Sequence, residues 1–225
     1  MIRVRWFGQS AFLLRAASTV FIDPFASMEG LTASRGLEWN YPPIAGVRSD
    51  LLLVTHEHRD HNGIEAVEGD PVLLRSSAGR FESPIGEVVG IASEHDDVAG
   101  TARGANTIYC FMLGGLRVCH LGDLGQPVLR PEQRAAIGAV DLLFLPVGGG
   151  PTIGGERAAA LVRELAPELV IPMHYRTSQI NFLEPPDAFL DALGAPVERL
   201  ATGELVVEEL LSGGSTTVAL LAPPV

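Results

Sequence analysis

Three imidazoles and a carboxylate fall within the six residues His56-Glu57-His58-Arg59-Asp60-His61, directly after the apolar run Leu51-Leu52-Leu53-Val54 and Thr55. No other stretch limits the fold so tightly, because these side chains are useful together only if the run before them is a buried strand whose end opens onto a pocket. On an extended chain His56 and His58, two residues apart, point the same way and can reach one ion. Asp60 and His61 come after a turn of chain and point at a second position close by. Imidazole and carboxylate suit zinc, iron or manganese, and a catalytic metal site keeps one coordination position for water or substrate. Clusters of this kind imply metal or catalytic sites rather than chance surface polarity.

Rival metal motifs fail on spacing. HExxH needs a histidine at position 60, where Asp60 stands, and the inverted HxxEH is absent. The two cysteines are too few for a disulfide framework or a cysteine-rich zinc module. At 225 residues and 47% hydrophobic, the chain fits one domain spanning 1–225 with a sizeable core. A net charge of −11 and a pI near 4.9 disfavour nucleic acid, whose phosphates call for a basic surface. No run approaches about 18 apolar residues, and Met1-Ile2-Arg3-Val4-Arg5 does not lead into a signal-peptide core. The expectation is a soluble cytoplasmic protein with a small-molecule substrate and no nucleic-acid or membrane partner. A homo-oligomer is compatible with this reading.

Strands are expected at Ile2 to Phe7, Ala11 to Leu14 and Thr19 to Ile22, then at Leu51 to Val54, Val72 to Leu74 and Val88 to Ala92. Residues 26–49 show no sustained period and read as a long loop that walls a pocket or makes a surface excursion. Asn106 to Leu113 and Leu116 to Leu121 form a hairpin about Gly114-Gly115, which sets Cys110 opposite Cys119 as two buried thiols. Leu142 to Leu145 and Leu169 to Ile171 are buried strands. Pro131 to Ile137 and Glu156 to Leu165 are helices, the second with Ala158, Leu161, Val162 and Leu165 on one face. An α/β layered sandwich follows.

On that outline His56, His95, Asp123 and His174 each follow a strand, so separated segments deliver ligands to one sheet edge. His95 is a ligand candidate; its neighbour Asp96 is a second orienting carboxylate or a solvated charge. Asp123 is a ligand or a Gly-Asp turn residue. His120 is a hydrogen-bond partner, a proton donor or a buried structural imidazole. Arg176 holds a phosphate or carboxylate, or pairs on the surface. Gly149, within Gly148-Gly149-Gly150-Pro151, lets backbone approach a ligand or makes a turn. Trp39, Tyr41 and Tyr175 wall the pocket or pack in the core.

These segments, with Trp6-Phe7-Gly8-Gln9-Ser10-Ala11-Phe12, Phe21-Ile22-Asp23-Pro24, Gly122-Asp123 and Pro172-Met173-His174, resemble the metallo-β-lactamase superfamily over nearly the whole length. The resemblance implies a four-layer αββα sandwich and two divalent metal ions, zinc first and manganese second. It implies His56, His58 and His95 at one ion, Asp60, His61 and His174 at the other, and Asp123 between them. Cys119-His120-Leu121-Gly122-Asp123-Leu124-Gly125 and Pro146-Val147-Gly148-Gly149-Gly150 are similar to a bacterial branch of metal-dependent hydrolases related to ascorbate-6-phosphate lactonase. The activity expected is hydrolysis of a small, anionic lactone, phosphodiester or ester by a metal-bridging hydroxide. Asp60 orients the nucleophile, His120 is the candidate proton donor, and Arg176, Tyr175 and Gly149 contact substrate. The alternative on the same fold is a non-haem iron oxidoreductase such as a persulfide dioxygenase.

Overall fold

The computed structural model describes residues 1–28, 36–211 and 213–225. Strands β1 (Arg3–Gly8), β2 (Ala11–Arg15) and β3 (Thr19–Ile22) form an antiparallel meander. A short β4 (Val47–Arg48) is followed by β5 (Leu51–Val54), which runs parallel to β3. The pair β4 and β6 (Val67–Glu68) stands apart, while β7 (Val72–Arg75) joins β5. After β8 (Gly79–Ser83), β9 (Gly86–Glu94), β10 (Ala105–Leu113) and β11 (Leu116–His120) the chain turns to βα units. These are α1 (Pro131–Ile137), β12 (Leu142–Pro146), α2 (Gly155–Leu165), β13 (Leu169–Met173) and α3 (Asp187–Leu193). The chain ends with β14 (Val197–Arg199), β15 (Glu204–Val206) and β16 (Thr217–Leu220).

Two sheets result, ordered β15-β1-β2-β3-β5-β7 and β14-β16-β13-β12-β11-β10-β9-β8. Every residue of β5, β12 and β13 is buried, as their unbroken apolar runs require of parallel strands covered on both faces. The sheets meet through aromatic rings. Phe12 of β2 and Phe144 of β12 lie 4.6 Å apart between centroids, and truncating either to alanine costs about 3–5 kcal/mol.

Against the other sheet face α2 buries Ala158, Leu161, Val162 and Leu165, the stripe its spacing predicts. The outer face of the six-stranded sheet is covered differently. There Phe7, Leu13, Phe21 and Leu52 pack under Phe25, Tyr41, Ile44, Ile180 and Leu183, loop residues rather than an α-helix among the described residues. Part of the expected 26–49 loop, residues 29–35, lies outside the described residues. Its remainder includes Trp39, stacked on Phe182 and edge-on to Tyr41, and the short β4, which the sequence reading does not contain.

The Gly114-Gly115 hairpin forms with φ of +56° and +87°, a pair of left-handed positions that glycine accepts without strain. Cys110 faces Cys119 in register, their sulfurs 3.2 Å apart as buried free thiols. The direction of the strands places the site. Strand β10 is antiparallel to both β9 and β11, and β11, β12 and β13 are parallel, so β9, β11, β12 and β13 end at one edge. The end of β5 joins that edge through Thr107 N–H, which donates to Thr55 O at 3.0 Å. No helix among the described residues is long and apolar enough to cross a membrane.

Candidate metal centre

Five of the six histidines of the chain meet at this edge around Asp123. Asp123 Oδ2 lies 3.2 Å from His95 Nε2, 3.2 Å from His174 Nε2, 3.3 Å from His61 Nε2 and 3.9 Å from His56 Nε2. Three groups have ligand atoms within 4.8 Å of one another: His56, His58 and His95; His56, His61 and Asp123; and Asp60, His61 and His174. All are buried except His58, which is exposed, and Asp60, whose side chain is 21% exposed.

His56, His61 and His95 are held by their outer nitrogens with Nε2 facing inward. Thr55 Oγ1 donates its single proton to Asp23 Oδ2 at 2.7 Å, so at 3.0 Å from His56 Nδ1 it acts as acceptor. His61 Nδ1 donates to Asp23 Oδ2 at 2.9 Å and His95 Nδ1 to Pro151 O at 3.0 Å. Such anchoring of the outer nitrogen is how ligating imidazoles are oriented. His56 Nε2 then faces His58 Nδ1 at 3.0 Å, an approach a cation or a proton between them relieves.

Charge and burial reinforce this arrangement. Burial pushes His61 down, but Asp123, Asp60 and Asp23 outweigh it and hold the imidazole well above its ordinary range. Burial and the neighbouring His61 push His56 well down. Burial would raise Asp123, yet His174 and His61 keep it well below the usual carboxylate range. A pocket that draws a proton onto a buried imidazole draws a metal cation by the same field. Asp123 Oδ1, His61 Nε2 and His174 Nδ1 are buried without a hydrogen-bond partner, and the set is all imidazole nitrogen and carboxylate oxygen, so the residues fit divalent metal ions.

His174 adopts φ of +52°, a left-handed backbone that a non-glycine residue takes only where surrounding contacts impose it. Those contacts are its N–H to Gln9 O at 3.4 Å and its carbonyl to Gly148 N–H at 3.0 Å. The loop 148–151 thus holds His174 through Gly148 and His95 through Pro151. Gly149, with φ of +60°, belongs to this brace, and a Cβ there would press on Glu184 at 2.8 Å.

Other expected residues fall elsewhere. His120 is fully buried, accepts Gly122 N–H at Nδ1 (3.1 Å) and donates from Nε2 to Ser10 O (3.1 Å). Both ring nitrogens are committed and burial lowers its pKa, so in place of the expected proton donor it is a strut under the turn carrying Asp123. Tyr175 is buried with its ring stacked on Trp6 at 5.7 Å, which corrects its reading as a substrate contact. Arg176 is exposed, and its Nε donates to Leu183 O at 2.6 Å. Asp96 turns inward and accepts from Val98, Gly100, Ala102 and Arg103 N–H, stapling the loop after His95.

Three residues were missed as site residues. Asp23 receives Thr55 N–H at 2.7 Å besides its Thr55 and His61 side-chain partners. Its signal is the register Ile22↔Leu53, which sets Asp23 beside the end of β5. Thr55 is the second, adjoining the motif it supports. Gln9 is the third; its Nε2 donates to Asp60 Oδ2 at 3.3 Å.

Imidazoles and carboxylates gathered on one buried carboxylate, at the open edge of a two-sheet sandwich, define a metalloenzyme centre. Family comparison agrees: residues 3–174 match a beta-lactamase superfamily domain. A UPF0173 metal-dependent hydrolase from Thermococcus kodakarensis is 30% identical over 208 residues, covering 79% of this chain and 86% of that protein. Another, from Methanosarcina barkeri, is 29% identical over 226 residues, covering 88% and 93%. A crystal structure from Thermotoga maritima, assigned to the Zn-dependent hydrolases of the metallo-beta-lactamase superfamily, shares 30% identity with a TM-score of 0.77, covering 98% of this chain and 100% of that one. The chain belongs to the metallo-β-lactamase superfamily and is a metal-dependent hydrolase.

Proposed function

We propose that this chain is a binuclear hydrolase that cleaves a lactone, ester or phosphodiester bond in a small molecule. The observation that carries the reading is Asp123 Oδ2, within 3.3 Å of His61, His95 and His174 Nε2 at once, between one group supplied by His56, His58 and His95 and another by Asp60, His61 and His174. Zinc is the cation this donor set suits first, and manganese the second. Two such cations supply hydroxide at neutral pH and offset the charge that develops on a carbonyl or phosphoryl oxygen.

The chain's own residues do the rest. His58 and Asp60 are the two candidate ligands open to solvent, so substrate enters over them. Asp60, its Oδ2 tethered by Gln9, would orient the nucleophile besides serving as a metal ligand. Buried His56, His61, His95 and Asp123 form the floor that excludes bulk water. Arg176 gives its Nε to Leu183 O, which leaves its terminal N–H groups and its charge for an acidic group on the substrate.

Elemental mass spectrometry on protein purified without chelators, paired with a panel of lactones, phosphodiesters and carboxylic esters, tests this. About two zinc or manganese ions per chain, with turnover abolished in Asp60→Asn, supports the proposal. One iron per chain with oxygen consumption sinks it.

A further inference from the structure

The turn between β1 and β2 is distant in sequence from every candidate ligand, yet it touches two of them and, through His120, supports a third. Gln9 Nε2 donates to Asp60 Oδ2 at 3.3 Å. Gln9 O receives His174 N–H at 3.4 Å. Ser10 O receives His120 Nε2–H, and His120 in turn holds Gly122, the residue before Asp123.

Gln9 occupies this turn at a conformational cost. Its φ of +49° is the left-handed region, which favours glycine or asparagine at a hairpin tip. Its side chain is fully buried, although tips of tight turns are ordinarily solvated. Gln9 Oε1 is also buried without a donor, an arrangement that costs free energy unless the contents of the site complete it. A polar side chain kept under strain, buried, and half satisfied by a candidate ligand is the signature of a positioning role.

We propose that Gln9 is a positioning residue of the ligand group Asp60, His61 and His174. Its amide N–H fixes the rotation of the Asp60 carboxylate, and its Oε1 accepts a hydrogen bond from a water or a substrate N–H or O–H in the centre. Asp60 is the group's one carboxylate and its side chain is 21% exposed, so without this tether it is free to turn outwards. The inference rests on the binuclear reading, and it assigns to Gln9 the affinity of one of the two ions.

The test is zinc titration of chelator-treated protein by calorimetry, with thermal melting of the metal-free chain alongside. Gln9→Gly relieves the backbone strain but empties a fully buried site, so a purely structural role predicts a metal-free chain of lower melting temperature with unchanged zinc binding. The positioning role predicts that one of two zinc ions binds about 10–100-fold more weakly, the usual loss when an outer partner of a ligand is removed, with the other ion within two-fold of its wild-type affinity. Gln9→Met, which keeps the volume but not the hydrogen bonds, behaves as Gln9→Gly does in zinc affinity. Two ions bound as tightly as in the wild type by both variants overturn the proposal. A wild-type chain that takes a single zinc overturns the binuclear reading instead; Gln9 then stands only if Gln9→Gly weakens that ion.

Discussion

Asp23 Oδ2 stands 2.9 Å from His61 Nδ1, and this contact decides which face of the imidazole is free for a cation. Asp23 is fully buried, with φ of +49°, a backbone asparagine also tolerates. Asp23→Asn therefore keeps the backbone of the turn while removing the charge and one of the two accepting oxygens. Metal affinity falls about 10–100-fold, read by competition with a chromogenic chelator. Affinity within two-fold of the wild type would mean that His61 needs no outer carboxylate.

Gly148 has no room for a side chain, since a Cβ there would overlap His174 O and the Tyr175 backbone. Overpacking of this kind costs about 1–3 kcal/mol, so Gly148→Ala lowers the melting temperature by about 2–12 °C. The metal-free chain shows the same loss, because the clash is with backbone. A variant that melts with the wild type would show that the 148–151 loop gives way easily.

His120 separates a strut from a catalyst. In His120→Phe the ring volume is kept while Ser10 O and Gly122 N–H lose their partner, at about 1–3 kcal/mol for each buried group left unsatisfied. Stability drops, and the pH–rate profile of the folded variant keeps the wild-type limbs. Disappearance of one limb would restore the proton-donor role.

All three tyrosines resist ionisation while the chain is folded. Burial pushes Tyr41 up to about 12, with weaker opposing hydrogen bonds from Thr177 and Gln9, and burial raises Tyr109 and Tyr175 as well. A folded pKa above the unfolded value near 10 means that stability is fully present below about pH 10 and is lost as pH rises towards 12. Phenolate absorbance therefore appears only with unfolding, as one cooperative step coincident with loss of circular dichroism. A separate phenolate step in folded protein would contradict this.

The contiguous cluster from His56 to His61 was legible because its spacing alone states a chemistry, and the convergence of His95, Asp123 and His174 was legible because each follows an apolar run. Cys110 opposite Cys119 followed from two glycines. What escaped depends on register and on hydrogen bonds. Asp23 looked like the end of a strand until Ile22 was set beside Leu53, and Gln9 looked like an ordinary turn residue. His120 could be assigned only once both its nitrogens were accounted for. Strand β8 carries Phe81 as its sole large apolar residue, and β14 is largely exposed, so neither shows a periodic signal. Helix α3 buries only Phe189, too little for a pattern.

The candidate ligands hang from different sheets: His56, His58, Asp60 and His61 follow β5, whereas His95, Asp123 and His174 follow β9, β11 and β13. Cations gripped between these halves join them much as a rivet joins two plates. A slip of one sheet along the other would separate the two halves of the ligand set. Metal occupancy in such a molecule therefore reports on the alignment of the two sheets.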